Sequence, residues 1–320
     1  MVVMNRKITH MQLMLEMMTR RMPVTDQDYG YYQELLRKVK AGFAGEQRVD
    51  REWKEVDIPC RYYLFHNLEL NNEVGSTHQI DTLFICPYFA FVVEIKNIVG
   101  RIDFFKETHQ FTRTTAEGKV DGFKNPFDQV KRHARFIRRL FQKQGVQIPI
   151  VHAIISANPN MIMTHSLATQ PIFHVSGLAQ KLEQLFDRYQ EVYLGEKQLR
   201  NISKKLAKMH APKEWAPALE EMKLRKGVLC PKCSYKTVMR YVYGKWFCDT
   251  CKNADSGALL VALHDYRLLK GDTISNSQFR DFFMISSEKA VYYNLKLLGF
   301  KVVGGNKNRR YIIPEDVVNL

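Results

Sequence analysis

The chain has 320 residues, 45% of them hydrophobic and 12% aromatic, which excludes a disordered tail and allows two or three globular domains. No apolar run reaches the ~18 residues of a membrane span, so the sequence predicts a soluble cytoplasmic protein with no membrane partner. The formal net charge is +15, and residues 196–320 hold 23 Lys and Arg against 12 Asp and Glu. Such an excess attracts polyanions, of which nucleic acid is the commonest in cells.

The first part of the chain predicts helices followed by strands. Residues 5–48 have a helical pattern with a break near Pro23, and the second helix is expected to end at Gly45. A hairpin over residues 102–114 is expected to extend the sheet that precedes it. Runs of aromatic and β-branched residues predict that sheet's strands, at residues 60–65, 79–85 and 90–95.

A well-marked helix start follows the hairpin. Asn125 can accept a hydrogen bond from a free backbone amide as the N-cap, and Pro126 suits the next position because it has no amide hydrogen. The helix is expected to reach about Gly145. Later elements are two strands and a helix, at residues 148–157, 171–175 and 177–189. Strands flanked by helices predict an α/β or α+β domain over residues 1–195, followed by a basic helical connector over residues 196–226.

Four cysteines have the spacing C-x2-C-x14-C-x2-C, and they are Cys230, Cys233, Cys248 and Cys251. Two C-x-x-C turns place four thiolates around one tetrahedral ion, which predicts a structural Zn²⁺ with no open position. The segment 227–254, with a hairpin around Gly244, then resembles a zinc ribbon. A redox-active dithiol pair is the alternative. Cys60 and Cys86 are expected to be small buried thiols.

Residues 255–320 end in a helix, a turn, a second helix and a hairpin that contains Gly304 and Gly305. This pattern resembles a winged-helix module, with residues 286–298 as the recognition-type helix. Small domains of this kind also mediate protein contacts. Basic residues on the wing are candidates for phosphate contacts, namely Lys307, Arg309 and Arg310.

The segment FVVEIKN, residues 91–97, places two charges within an apolar strand. Side chains alternate across a strand, so Glu94 and Lys96 share a face, and Asp81 on the preceding strand could lie close to Glu94. Two carboxylates on an apolar sheet repel each other and lose hydration unless a cation lies between them. Mg²⁺ suits this arrangement because it binds one or two carboxylates together with waters and phosphate oxygens.

The order Asp81, intervening turn, Glu94-Ile95-Lys96 is the pattern of the PD-(D/E)xK nuclease superfamily. Over residues 10–150 the chain resembles the nuclease-related domain (NERD) family of that superfamily. The resemblance implies a restriction-endonuclease-like core, a mixed sheet flanked by helices. The segments that share the family's order of motifs are residues 42–53, 78–102 and 125–140.

The resemblance implies a role for each matching residue. Asp81 and Glu94 would bind Mg²⁺ or Mn²⁺, with the backbone carbonyl of Ile95 as a third ligand. Lys96 would orient or deprotonate the attacking water and stabilise the charge of the transition state. Two helical residues complete the catalytic set. Glu46 would be an outer metal ligand or would support the waters bound to the metal. Gln129 would correspond to the later helix motif of the family.

The helix that contains Gln129 also has a basic face. Its cations are candidates for contact with a nucleic-acid backbone, although a solvated helix face is the plainer explanation. His133 on the same helix has no fixed role in the family pattern and is expected to be structural or solvated. The basic residues are Lys131, Arg132, Arg135, Arg138 and Arg139.

The leading hypothesis is a metal-dependent nuclease that hydrolyses phosphodiester bonds, with DNA as the expected substrate and C-terminal modules that bind nucleic acid. The alternative is a catalytically silent nuclease-fold scaffold that binds nucleic acid or recruits a partner protein. A helicase or other DNA-processing partner is a further hypothesis, and any helicase activity would come from another chain because no Gly-x4-Gly-Lys-Ser/Thr motif is present. The pattern leaves strandedness and oligomeric state open.

Overall fold

The computed structural model describes residues 1–217, 223–305 and 308–319. The chain divides into two compact units. The N-terminal unit comprises Met1–Ile8 and Lys38–Glu214, and the C-terminal unit comprises Thr9–Arg37 and Trp215–Leu320. Among the described residues, no helix has both the length and the apolar composition needed to cross a membrane.

The N-terminal unit contains a mixed six-stranded sheet. Its order is β1-β2-β3-β4-β8-β10, with antiparallel pairing along β2-β3-β4 and parallel pairing elsewhere. The strands of the unit are β1 (Val2–Met4), β2 (Tyr63–Asn71), β3 (Thr77–Ile85), β4 (Ala90–Lys96), β5 (Gly100–Phe105), β6 (Gln110–Thr114), β7 (Val120–Phe123), β8 (Ile150–Ser156), β9 (Met161–Met163) and β10 (Ile172–His174).

Helices cover both faces of this sheet. One face packs against α3 (Pro126–Lys143) and α5 (Glu196–Met209). The other packs against the C-terminal half of α2 (Tyr29–Glu55) and against α4 (Leu178–Arg188). Along β4, alternate side chains enter the two cores, as strand geometry requires. The expected mixed sheet flanked by helices is therefore confirmed. The residues of α5 belong to this packed core, so this part of the predicted connector is a structural helix.

The hairpin β5–β6 does not extend the main sheet, so that expectation was wrong. It belongs to a second sheet of order β7-β6-β5-β9. The free side of β4 is occupied by β8 in parallel, which leaves no edge for β5. Gly100 turns the chain out of the main sheet with φ of 115°, and a Cβ there would lie 2.6 Å from the carbonyl oxygen of Thr114.

Helix α2 also differs from the prediction, because it continues ten residues beyond Gly45 to Glu55. Gly45 is buried within the helix, where an added Cβ would lie 2.5 Å from Cβ of Asn97. The glycine therefore permits close approach of α2 to the end of β4, and it does not terminate the helix. Asn97 Nδ2 donates to the carbonyl of Ala41 at 2.6 Å and strengthens this contact.

The C-terminal unit includes α1 (His10–Arg21), which the sequence analysis assigned to the N-terminal domain. Arg21 is fully buried, and its Nε donates to Asp265 Oδ2 at 2.8 Å. Met14, Met17 and Met18 of α1 form an apolar cluster with other residues of the same unit. The remaining elements are β11 (Arg240–Val242), β12 (Lys245–Phe247), α6 (Gly257–Lys270), β13 (Thr273–Ile274), α7 (Asn276–Phe283), α8 (Glu288–Leu297), β14 (Val302–Val303) and β15 (Arg310–Ile312).

Candidate active site

The acidic residues of β3 and β4 meet where the pairing of these strands ends. The last paired residues are Thr82 and Val93. Beyond them, Asp81 Oδ2 accepts a hydrogen bond from the backbone amide of Ile95 at 2.7 Å. The Asp81 carboxylate thus pairs with the Ile95 amide of β4 in place of a backbone carbonyl. Asp81 and Glu94 are 8% and 3% exposed, so both carboxyl groups are buried. We call the place where β3 and β4 separate, with these two carboxyl groups, the fork.

Lys96 connects the fork to helix α3. Its Nζ donates to Glu94 Oε1 at 2.7 Å and to Gln129 Oε1 at 3.3 Å. Gln129 lies in the first turns of α3, whose start is set by Asn125, because Asn125 Oδ1 accepts from the amide of Phe127 at 2.9 Å. The predicted cap at Asn125 is confirmed, and it places the Gln129 amide beside the lysine.

The electrostatics of the fork favour a bound cation. Burial, followed by the nearby charge of Asp81, raises the pKa of Glu94 to about 8, although Lys96 opposes the shift. Burial also raises the pKa of Asp81. Burial opposes the charge on Lys96, but Glu94 and Asp81 outweigh it and raise the lysine pKa. The site therefore has a charged lysine beside two carboxyl groups that resist simultaneous ionisation.

The residues at the fork fit a divalent metal ion. Glu94 Oε2 is buried and has no hydrogen-bond partner among the described residues, so one carboxylate oxygen is available. The backbone amide and carbonyl of one strand residue point to the same side of the strand. Because the Ile95 amide binds Asp81, the Ile95 carbonyl faces the same fork. Two carboxylates and a carbonyl are oxygen donors of the kind that Mg²⁺ and Mn²⁺ prefer.

Glu46 lies within α2, on the other side of the fork, and not at a helix end as predicted. Burial, followed by the charge of Asp81, raises its pKa to about 7, and Arg6 opposes this shift. Arg6 Nη1 donates to Glu46 Oε2 at 2.7 Å, and its Nη2 donates to the Asp81 carbonyl at 2.9 Å. Arg6 therefore joins the helix to the strand that bears Asp81.

Arg6, Asp50 and His66 also lie at the candidate site, and no sequence pattern predicted them. Arg6 Nε donates to Asp50 Oδ2 at 2.7 Å, and His66 Nδ1 lies 3.0 Å from Asp50 Oδ1. The spacing of Glu46 and Asp50, four residues apart on one helix, could have indicated a common acidic face. No local signal identifies Arg6, because its partners lie 40 and 44 residues away in the sequence.

We expect Arg6→Met to destabilise the N-terminal unit by about 3 kcal/mol, because it leaves Glu46 and Asp50 without their buried cation. Urea denaturation would measure the change. Arg61→Met is the matched control, since Arg61 pairs with Glu196 at the surface, where such pairs contribute less than about 1 kcal/mol. Equal effects of the two substitutions would contradict the proposed importance of the buried cation.

His133 is buried, so of the two environments expected for it, structural or solvated, the structural one is observed. Its Nδ1 lies 3.1 Å from Nδ1 of His78, so only one of these nitrogens can donate. Burial, followed by the charge of His78, lowers the pKa of His133 to about 4. His78 also stacks on Phe136, with ring centroids 4.0 Å apart. The pair therefore favours neutral rings at neutral pH.

The lowered pKa of His133 predicts a stability loss in acid. The stabilisation is complete above the unfolded-state pKa of about 6.5 and is lost as pH falls through about 4, by on the order of 2 kcal/mol. Urea midpoints between pH 7.5 and 4.5 would measure it. His133→Gln should flatten the profile, whereas the exposed control His165→Gln should not. Identical profiles for all three proteins would contradict the assignment.

The predicted nucleic-acid-binding residues have different environments. The basic residues of the α3 face are all exposed: Lys131, Arg132, Arg135, Arg138 and Arg139. On the predicted wing, Arg309 is exposed. The Arg310 side chain instead donates to Thr273 Oγ1 at 3.0 Å and to the Thr273 carbonyl at 3.2 Å, so it holds the small sheet together. Lys307 lies outside the described residues.

The four predicted zinc ligands lie together, with all their sulfur atoms within 4.8 Å of one another. The Sγ atoms of Cys230 and Cys251 are 3.6 Å apart, and those of Cys233 and Cys248 are 3.8 Å apart. A tetrahedral Zn²⁺ with Zn–S distances of about 2.3 Å requires sulfur separations of about 3.8 Å. The cysteine cluster could therefore hold a zinc ion, as in a zinc ribbon.

Comparison with known proteins finds a family match over the part of the chain that contains the fork. Residues 41–157 match the family model of the nuclease-related domain. An uncharacterized protein of Bacillus anthracis is 29% identical over 161 residues, which are 50% of this chain and 73% of the relative. No solved structure matches the chain. The matched range spans the positions of Glu46, Asp81, Glu94, Lys96 and Gln129. Over residues 41–157 this chain is therefore similar to the nuclease-related domain family.

Proposed function

We propose that the N-terminal unit is a metal-dependent nuclease that hydrolyses phosphodiester bonds in DNA. The observation that supports this proposal is the fork between β3 and β4, where two buried carboxyl groups lie beside a lysine whose Nζ is 2.7 Å from Glu94. Buried ionisable groups with shifted pKa values at the end of a strand are typical of active sites. The nuclease-related domain match makes phosphodiester hydrolysis the reaction that fits them best.

Asp81, Glu94 and the Ile95 carbonyl would hold Mg²⁺ or Mn²⁺. When bound, the ion would supply positive charge that polarises the scissile phosphate and lowers the pKa of an attacking water. Glu46, 2.7 Å from Arg6, would support the outer side of this site. Arg6 in turn keeps the acidic face of α2 in a fixed position relative to β3.

Lys96 performs the chemistry that the chain itself can supply. Its ammonium group remains charged, because Glu94 and Asp81 raise its pKa. It can therefore donate a hydrogen bond to the attacking water or to a phosphate oxygen, and it stabilises the negative charge that develops in the transition state. Gln129 Oε1 accepts from Lys96 Nζ and directs it towards the fork.

The exposed basic face of α3 would contact the nucleic-acid backbone, because it begins next to Gln129. In the C-terminal unit, the order α6, β13, α7, α8, β14, β15 resembles that of a winged-helix module, in which α8 would be the recognition-type helix. We infer that this segment and a structural Zn²⁺ at the four cysteines form a nucleic-acid-binding unit. The expected helicase partner remains a prediction.

A cleavage assay tests the proposed function. Purified full-length protein would be incubated with linear, circular and single-stranded DNA, with and without Mg²⁺, in parallel with Asp81→Asn and Lys96→Met. Mg²⁺-dependent cleavage that each substitution abolishes is the expected result, and cutting of circular DNA would show internal cleavage. Binding with no cleavage under any condition would refute the nuclease and favour the silent scaffold.

A further inference from the structure

The C-terminal unit contains a cleft of about 840 Å³ between three of its elements. The first turn of α7, the first half of α8 and strand β15 contribute its walls. The volume is within the range of about 300–1,000 Å³ that is usual for small-molecule sites. The lining residues are mainly polar or charged: Ser275, Asn276, Ser277, Arg280, Glu288, Lys289, Tyr292, Arg309 and Tyr311.

Three cations of this lining form no salt bridge with a described residue, and one carboxylate, that of Glu288, lines the cleft with them. Within the part of the chain that the structure describes, no salt bridge joins Arg280, Lys289 or Arg309 to a carboxylate, and the buried Nε of Arg280 has no hydrogen-bond partner. Some surface cations elsewhere in the unit are paired, as Lys226 is with Asp281 at 2.8 Å. The cleft therefore has an excess of positive charge that an anionic ligand would satisfy.

An aromatic ring lies among these cations. Tyr292 lines the cleft and is 42% exposed, so part of its ring surface is open to a ligand. It follows Lys289 by three residues on α8, which places the two side chains on the same helix face. Tyr293 is 60% exposed but does not line the cleft. Cations beside an exposed aromatic ring are typical of sites for unpaired nucleotides.

The first turn of α7 adds a weaker preference for anions. It contributes Ser275, Asn276 and Ser277 to the cleft and contains no acidic residue. Ser275 Oγ accepts from the amide of Gln278 at 3.2 Å, and Gln278 Oε1 accepts from the amide of Ser275 at 2.9 Å. This capping box holds the helix start in place, and a helix N-terminus favours nearby negative charge.

We propose that this cleft binds an unpaired nucleotide of single-stranded nucleic acid. The base stacks on Tyr292, and the flanking phosphates contact Lys289, Arg280 and Arg309. A base within a duplex is stacked on its neighbours on both sides, so its face is not available to the tyrosine. This inference rests on the proposed nucleic-acid function and specifies the strand state that the C-terminal unit recognises.

Fluorescence anisotropy with labelled oligothymidine and with a duplex of equal length tests the proposal. The full-length, zinc-loaded protein is used in Mg²⁺-free buffer, so that binding is measured without cleavage. Tyr292→Ala should weaken single-strand binding by about tenfold and leave duplex binding unchanged. Tyr292→Phe should retain affinity because it keeps the ring. Tyr243→Ala, at a fully exposed tyrosine of the same unit outside the cleft, is the control and should bind as the unsubstituted protein does.

The salt dependence of binding tests the proposed phosphate contacts. The slope of log Kd against log salt should fall by about 0.7 for Lys289→Gln and again for Arg309→Gln, because each removes one phosphate contact on a single strand. Lys296→Gln, on the exposed surface of α8 outside the cleft, is the matched control.

The outcomes separate this inference from the proposed function. Single-strand binding that is unaffected by Tyr292→Ala and Lys289→Gln would refute only the proposal that the cleft binds an unpaired nucleotide. An equal loss of duplex binding would refute the same proposal. A protein that binds neither probe would overturn both the cleft and the nucleic-acid function. Circular dichroism of each variant verifies folding, and Tyr292, Lys289 and Arg309 are exposed side chains whose replacement leaves the core intact.

Discussion

Glu94→Gln is expected to reduce metal-dependent cleavage by about 10³-fold or more while the protein remains folded. The substitution preserves the shape of the side chain and its contact with Lys96, but it removes the negative charge that would hold the metal. In the metal-free protein the loss of attraction to Lys96 and the loss of repulsion from Asp81 act in opposite directions. The unfolding midpoint should therefore change little.

The same variant gives a measurement that does not depend on activity. Mg²⁺ at 10 to 100 times its Kd should stabilise the unsubstituted protein by about 1.4 to 2.7 kcal/mol, because it binds the folded state. Glu94→Gln should lose this stabilisation. Thermal unfolding with and without Mg²⁺ measures it. Glu107→Gln, at an exposed turn of the same unit, is the control. Full cleavage or an unchanged response to Mg²⁺ in Glu94→Gln would refute the site.

Removal of zinc is expected to unfold the C-terminal unit. Cys230 and Cys248 are fully buried and belong to the same apolar core as Trp246, Phe279 and Phe283. Without the metal, no bonds link the four cysteines, and this small core loses their contribution to its stability. Structural zinc sites contribute on the order of 10 kcal/mol to folding. The loss should therefore be comparable with the whole stability of a typical domain, about 5–15 kcal/mol.

Limited proteolysis measures this loss in each unit. After treatment with a zinc-selective chelator, or in Cys248→Ser, the C-terminal unit should be degraded while a fragment of the N-terminal unit persists. Cys60→Ser is the control, because Cys60 lies outside the cysteine cluster. Stoichiometric thiol titration of the treated protein together with unchanged protease resistance would instead support the redox dithiol pair.

Short-range patterns predicted much of the architecture correctly. The hydrogen bond at Asn125 depends on residues two positions apart, and the strands β3 and β4 depend on runs of β-branched and aromatic residues. The ribbon hairpin β11–β12 lies around Gly244, as its position between the cysteine pairs indicated. These features have their causes within a few residues, so the local sequence is sufficient to predict them.

Features that depend on distant residues could not be predicted in this way. Glycine is a residue type that often ends a helix, yet the close contact of Gly45 with Asn97 shows that this glycine lets α2 pack against the end of β4. The hairpin β5–β6 has ordinary strand patterning, and only the occupied edges of the main sheet exclude it from that sheet. Alternation of side chains predicts faces of a strand, but it does not predict which strand lies next to it.

The sequence by itself determined the types of residue at the site and their order, from Glu46 through Asp81, Glu94 and Lys96 to Gln129. Only the tertiary structure decided that Asp81 binds the amide of Ile95 and that Arg6 joins α2 to β3. The physical reason is that a charge is stabilised or destabilised by everything within a few ångströms of it. In a folded chain those neighbours come from distant segments, which sheet pairing and helix packing bring together.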